Sequence, residues 1–385
     1  MQYLIKRVHL ENRKYIAKTF AGLEQVLEQE LNAIGIYDCE ILKRSVAFEC
    51  SFEHLILANL MLRTALRVYM PIDTFEVSNE QDVYQNVYNF PWEEWIGLDQ
   101  TFMIESIVNS ATFRNSHFIG LKTKDAIADR FQKRFKRRPN VDIKNPDFRI
   151  QIHISSLNKC TLSFDTSGEA LYKRGYKNRQ TEASINECLA AGMVLLSGWE
   201  GNSDFYDPMC GSGTILVEAA MIASKTPPNR LRKNWGFMKF KAYDQEVFLK
   251  IKKMTESQMI SSEINFYASD NQSAALDIAK MNFYDAKLDI PFIHFSKENF
   301  FNINSESTSG IMIINPPYNE RLELQQEDLF YKDMGDVFKN RFKGFDIWLI
   351  SSNKPALRKI GLKTETRYQL MNGSLPCEYC HYKIF

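Results

Sequence analysis

The chain has 385 residues, 44% hydrophobic and 25% charged, with a formal net charge of +1. This length exceeds what one hydrophobic core usually supports, so two or three domains are expected, and the near-neutral charge excludes a globally basic polyanion binder. No apolar run reaches the ~20 residues that cross a bilayer, and "MQYLIKRVHLENRKYIAKTF" lacks the features of a signal peptide, so a cytoplasmic protein with no membrane partner is expected.

In chain order, "YIAKTF" (Tyr15–Phe20) reads as a strand, and "AGLEQVLEQELNAIG" places Leu23, Val26, Leu27, Leu31 and Ile34 at helical spacing before closing on Gly35. "SVAFEC" (Ser45–Cys50) alternates as a strand should, and "FEHLILANLMLRTALRVYM" is again helical in period. This order predicts a small α+β sheet with helices on one face, over residues 1–70.

A second region, 71–165, carries a local charge anomaly. Its helix holds Lys122, Lys124, Arg130, Lys133, Arg134, Lys136, Arg137 and Arg138 on the polar side, against only Asp125 and Asp129. Ile127, Phe131 and Phe135 recur opposite, Pro139 stops the helix, and "FRIQIHI" (Phe148–Ile154) alternates as a strand. A basic helix end is often just a solvated surface. Its density here points to a phosphate-backbone footprint, with Lys133, Arg134, Lys136, Arg137 and Arg138 as the candidate contacts.

From residue 166 to 385 the pattern changes. "LYKRGYKNRQTEASINECLAAGMVLLSGW" is a basic turn followed by a helix, after which strand-like and helical runs alternate through "DIWLISSN". That alternation predicts an open, mostly parallel sheet with helices on both faces. The basic-aromatic insertion "PPNRLRKNWGFMKFKAYD" (Pro227–Asp244) is expected to overhang the site. Cys377 and Cys380 form a CxxC, but no second ligand pair lies nearby; the seven irregularly spaced cysteines are read as reduced thiols, and no metal is expected.

Three stretches carry chemistry. In "DPMCGSGTILVEAA" a strand ends at Asp207, Gly211 and Gly213 shape a turn, and a helix opens near Thr214 with free N–H groups. The spacing fits neither a phosphate-binding P-loop nor a GxGxxG fingerprint, and an acidic strand end repels phosphate and attracts a cation. In "FYASDNQSAALDIAKMN" a second strand ends at Asp270, which reads either as a helix cap or as the acidic residue that holds ribose hydroxyls. In "GIMIINPPYNERL" a buried strand ends at Asn315, and Pro316 and Pro317 stop the ladder. An amide oxygen and a proline carbonyl held stiffly together accept hydrogen bonds from an NH₂ group, and the Tyr318 ring suits stacking on the base that bears it.

Together these features resemble the class I S-adenosylmethionine-dependent methyltransferases that modify exocyclic amines of nucleobases, whose signature (N/D/S)-P-P-(Y/F/W) is met by Asn315-Pro316-Pro317-Tyr318. "DPMCGSGT", "NPPYNER", "LYKRGY" and the preceding α+β region resemble, more narrowly, the THUMP-domain RNA methyltransferases related to the bacterial enzymes that make N2-methylguanosine in large-subunit ribosomal RNA. The usual glycine after NPPY is Asn319 here, a residue that tolerates left-handed backbone angles.

The resemblance implies a Rossmann-like class I methyltransferase domain (166–385) behind a ferredoxin-like region (1–70) and a THUMP RNA-binding domain (71–165), with S-adenosylmethionine as cofactor. It implies that Asp207, Pro208, Gly211, Ser212, Gly213 and Thr214 wrap the amino-acid end of the cofactor. Asp270 would hold its ribose, Asn271 would lie beside the adenine, and Glu298 or Asn299 would meet the adenine amine. Asn315 and the Pro316 carbonyl, stiffened by Pro317, would hold the target amine while Tyr318 stacks on the flipped base. The expected partner is RNA, free or in an assembling ribosomal particle. Two other readings stay open: a DNA adenine-N6 methyltransferase, because NPPY alone does not separate the bases, and a non-catalytic RNA-binding assembly factor.

Overall fold

The computed structural model describes residues 12–179, 184–317 and 324–385. Alternation over Arg13–Lys18 makes strand β1, which buries Tyr15 and Ala17. Helix α1 (Glu24–Ala33) buries Val26, Leu27 and Leu31, and β2 (Cys39–Leu42) pairs antiparallel with β3 (Ser45–Cys50). Helix α2 (Phe52–Met61) is capped by Ser51, whose side chain accepts from the His54 amide.

The helical reading of "FEHLILANLMLRTALRVYM" holds only as far as Met61, and Arg67–Glu76 is strand β4. The cause lies outside the segment. The Arg63 and Thr64 amides donate to the Glu30 carboxylate at 2.7 and 3.0 Å, in place of carbonyls one turn back.

Then come α3 (Glu80–Asn89), β5 (Phe102–Val108), the basic helix α4 (Ser116–Phe135), β6 (Phe148–Ile154) and β7 (Lys159–Asp165). Strand β4 pairs with β1 along one edge and with β7 along the other, giving one sheet of order β2-β3-β1-β4-β7-β6-β5. The expected division at residue 70 therefore falls inside a strand bonded to both modules. In α4, Ile127 and Phe131 are buried, whereas Phe135, in the last turn before Lys136 adopts a left-handed conformation, is exposed.

The second sheet begins after α5 (Glu187–Leu196). Its parts are β8 (Phe205–Asp207), α6 (Thr214–Ala223), α7 (Gln245–Glu256), β9 (Phe266–Asp270), α8 (Ser273–Asp285), β10 (Ile293–Lys297), β11 (Gly310–Ile314), α9 (Leu324–Arg341), β12 (Phe345–Ser351), β13 (Thr366–Asn372) and β14 (Leu375–Lys383). The order is β10-β9-β8-β11-β12-β14-β13, with the first five parallel and β14 antiparallel to both neighbours. Chain order reverses between β8 and β11, so a crevice opens at their carboxyl ends, where doubly wound sheets bind ligands. Among the described residues no helix is long and apolar enough to cross a membrane.

The insertion Pro227–Asp244 does not overhang this crevice. Trp235, Phe237 and Phe240 are buried in the core of the first sheet, with Phe237 6.3 Å from Phe52 and Phe240 6.1 Å from Phe148, ring centre to ring centre. The aromatic surface is better covered there than over an open cleft. Arg232 sits 4.6 Å over the Trp235 ring and donates to the Ser167 and Glu169 carbonyls, both at 3.0 Å. Phe237→Ala is expected to cost about 3–5 kcal/mol of stability, measured by denaturant unfolding followed through tryptophan fluorescence.

Candidate active site

The turn after β8 is built for close approach. Gly213 caps α6 in a left-handed conformation (φ 74°), and a Cβ there would lie 3.0–3.1 Å from the Cβ and Cα of Ala279 on α8. Only glycine allows that packing. Asp270 braces the turn from the next strand: its carboxylate accepts from the Gly211 amide at 3.0 Å and from the Gln272 amide at 2.9 Å. The sequence offers Asp270 as helix cap or ribose ligand, and this cross-strand bond is legible in neither reading. Ser212 hydrogen-bonds to the hydroxyls of Ser184 and Thr214, and its carbonyl accepts from Asn282 Nδ2 at 2.9 Å.

Asp207 lies beneath the turn, wholly buried. Neither carboxylate oxygen has a hydrogen-bond partner of good geometry among the described residues, and the Leu216 backbone amide gives the carboxyl only a weak one. Burial pushes its pKa up to about 8; the Leu216 amide opposes the shift and the Asp270 carboxylate adds to it. An uncompensated buried carboxyl at a site fits a ligand cation, so the donor set suits the ammonium end of an amino-acid-bearing cofactor. Burial also pushes the Cys210 thiol well up, which keeps it protonated and poorly nucleophilic.

The cleft holds about 470 Å³, enough for a nucleoside-sized ligand. Pro208, Gly211, Ser212, Thr214, Asp270, Asn271, Glu298, Asn299, Asn315, Pro316 and Pro317 all line it. Asp207 and Gly213 stand behind the wall rather than in it. Tyr318 lies outside the described residues. Asn299 closes a turn by accepting from the Phe301 amide at 3.0 Å, which occupies its side-chain oxygen. The Asn315 Oδ1 atom is buried and has no hydrogen-bond partner among the described residues. Asp207 and Asn315 thus hold unsatisfied acceptors at the ends of the two strands that flank the switch point.

Sequence reasoning missed the apolar wall. Phe301 and Phe330 meet edge to face, 5.3 Å apart, and both line the cleft with Ile185 and Phe300. Phe300 and Phe301 directly follow the expected Glu298 and Asn299. Phe330 comes from α9 and had no local signal. Among the described residues no three His, Cys, Asp or Glu side chains converge to hold a metal, and Cys377 and Cys380 are buried within β14.

The basic surface lines no part of this cleft and is partly neutralised. Arg130 pairs with Glu93 through two 2.7 Å bonds, and Arg134 joins the same carboxylate. Arg137 pairs with Asp99 at 2.7 Å and Arg138 with Asp129 at 3.1 Å. Lys133 lies 5.8 Å over the Tyr88 ring, and all five candidate contacts remain exposed to solvent.

Comparison with known proteins agrees with this layout. Residues 174–381 match the family described as RMKL-like, methyltransferase domain; 77–165 match the THUMP domain, and 14–69 the RlmL ferredoxin-like domain. A protein of Synechocystis named as an RNA methyltransferase is 34% identical over 97% of this chain and 97% of its own length. A ribosomal RNA large subunit methyltransferase K/L from Psychromonas ingrahamii is 35% identical over 96% of this chain but 50% of its own length, so the chain spans about half of that relative. The crystal structure of a methyltransferase complexed with SAH, SMU.472, superposes with a TM-score of 0.88 at 28% identity, covering 97% of this chain and 99% of the other. A structure from Listeria monocytogenes named as an N6-adenine-specific DNA methylase gives 0.87 at 26% identity, covering 99% and 98%.

Proposed function

We propose a function for this chain from one premise: it belongs to the family of RMKL-like methyltransferases, with THUMP and RlmL ferredoxin-like domains before the catalytic one. It is an S-adenosylmethionine-dependent RNA methyltransferase; large-subunit ribosomal RNA is the substrate in the K/L relative's name, and the target we infer in it is the exocyclic N2 amine of a guanine. Residues 1–165 act as one RNA-gripping arm and 166–385 as the catalytic domain, working in the cytoplasm on free RNA or an assembling particle.

The observation that carries this reading is the unpartnered Asn315 amide oxygen, opening on the same cleft as the glycine turn. S-adenosylmethionine supplies an electrophilic methyl group on a sulfonium centre. Asp207 and the 208–214 turn hold its amino-acid end, and Asp270 and Asn271 take its ribose and adenine, with Glu298 or Asn299 at the adenine amine. A base amine is a weak nucleophile because its lone pair is delocalised into the ring. Asn315 Oδ1 and the Pro316 carbonyl accept from its two N–H groups, favour a pyramidal nitrogen and aim the lone pair; Pro317 stiffens that pair of acceptors and Tyr318 stacks on the base. What remains is in-line positioning.

Nucleotide mapping of ribosomal RNA from cells lacking the gene is expected to show one N2-methylguanosine lost; an unchanged modification profile would sink the assignment. The Listeria relative's name favours a second reading, adenine in DNA. Incubation with labelled cofactor and either polymer separates the two, since label in DNA alone reverses the ranking.

The paired state of the basic surface sets a further expectation. Lys133 and Lys136 form no ion pair among the described residues, whereas Arg134, Arg137 and Arg138 must each leave a carboxylate to meet a phosphate. Replacing both lysines with alanine should lower the slope of log affinity against log salt by about 1.5, at ~0.7–0.9 per phosphate contact. Replacing the three arginines should lower it by less per residue. Filter binding of RNA at several salt concentrations measures both.

A further inference from the structure

The segment "LYKRGY" (Leu171–Tyr176) stands out in the sequence and lines no part of the cleft. Its Arg174 and the Glu218 of α6 are both wholly buried, with Arg174 Nε donating to Glu218 Oε1 at 3.4 Å. Arg174 also donates to the Leu171 carbonyl at 2.9 Å and to the carbonyl of Arg63. The Tyr176 hydroxyl donates to the same Glu218 oxygen at 3.0 Å. Arg63 lies between α2 and β4 in the N-terminal arm. Its Nη2 reaches back to the Met221 and Thr226 carbonyls at 3.2 and 2.8 Å, at the negative end of the α6 dipole.

Helix α6 is therefore held at its middle by Arg174 and Tyr176 and at its far end by the arm. Its near end is the cofactor turn, with Gly213 as cap and Thr214 as first residue. Ten residues of helix span about 15 Å, so a shift of the arm at one end reaches the turn through a stiff rod.

The network is also incomplete. Among the described residues, Arg63 Nη1 and Glu218 Oε2 are buried without hydrogen-bond partners. They carry opposite charges, and the Glu218 carboxylate already acts on the Arg63 guanidinium. Half-satisfied buried charges are costly. Turning Arg63 from the helix carbonyls onto Glu218 would give both atoms a partner, at the cost of its bonds to the Met221 and Thr226 carbonyls. Two such arrangements would be the two-state element that energetic coupling between distant sites requires.

We propose that Arg63, with Arg174 and Tyr176, is a positioning residue that couples RNA engagement by the arm to the cofactor turn through α6. The inference rests on the RNA methyltransferase function above. The test uses S-adenosylhomocysteine, which has no methyl group to give, and a transcript of large-subunit ribosomal RNA. Calorimetry with the wild type is expected to show SAH binding about fivefold or more tighter when RNA is bound. Arg63→Met and Tyr176→Phe should each bind SAH alone within about threefold of wild type, lose most of the RNA-induced gain, and lose kcat more than KM. Arg63→Lys, which returns a cation to the helix end, should restore part of it. A purely structural role would lower the melting temperature and leave the gain intact in whatever protein folds; Tyr176→Phe decides the matter should Arg63→Met fail to fold. A wild type that methylates RNA with no gain in SAH affinity, or variants that keep the full gain, overturns the coupling and leaves the function standing. A wild type that shows the gain yet transfers no methyl to RNA overturns the function and leaves the coupling.

Discussion

Asp207→Asn is expected to make the protein more stable at pH 8 and its cofactor binding weaker. The carboxyl is wholly buried, has only the weak help of the Leu216 amide among the described residues, and is pushed up to about 8 by burial. A carboxyl whose folded pKa lies above its unfolded value of 3.8 holds its proton more tightly when folded. Its ionisation therefore costs stability increasingly as pH rises from about 4 to 8. Asparagine removes that cost, so the melting-temperature difference in favour of the variant should be near zero at pH 4 and grow to about 2 °C or more by pH 8. Binding moves the other way. A ligand ammonium seated against the turn is drawn to the carboxylate behind it, so losing that charge should weaken S-adenosylmethionine by about 10- to 100-fold. At pH 7 the wild type should release well over half a proton on binding, because the ligand amine, with a pKa near ~7.8, is already mostly protonated. Calorimetry in buffers of different ionisation enthalpy reads that release, and it should vanish in the variant. A variant that is less stable at pH 8 and binds normally would show that Asp207 is a structural residue.

The parts of this molecule that were legible in sequence are those set by local pattern. Ile311–Ile314 is buried on both faces, as an unbroken apolar run before two prolines predicts. The β–α alternation gave the second sheet because each strand and helix carries its own period. Three features were not legible, each because a distant partner decided them. Residues 63–66 leave the helical period because Glu30, more than thirty residues earlier, captures two amides. The insertion around Trp235 reads as a loop over the site because basic and aromatic residues alternate there, yet the first sheet supplies the surface that buries its rings. Phe330 reaches the cleft from a helix whose own spacing gives no hint of it. Site residues at strand ends could be found because the chemistry needs particular residue types there; cleft walls need only apolar bulk, which is common everywhere.

Asn315→Ala is expected to lower kcat for methyl transfer by about 10²- to 10³-fold, the usual loss when one preorganised polar group at a reacting centre is removed, while cofactor affinity stays within about threefold. The separation follows from position. Asn315 directly follows β11, across the switch point from the glycine turn that follows β8, and its Oδ1 atom has no hydrogen-bond partner among the described residues. Buried acceptors without partners cost about 1–3 kcal/mol, so deleting this one should leave the melting temperature unchanged or raise it, the opposite of what a residue kept for folding would do. Asn315→Asp keeps an acceptor in place and should retain more activity than alanine, in line with the acidic form of the (N/D/S)-P-P-(Y/F/W) signature. Single-turnover transfer to RNA at saturating cofactor, read beside calorimetry and thermal unfolding, measures all three quantities on the same preparations. Near-wild-type transfer by the alanine variant would remove Asn315 from the chemistry, and the target amine would then have to be held by the Pro316 carbonyl and the wall formed by Phe301 and Phe330.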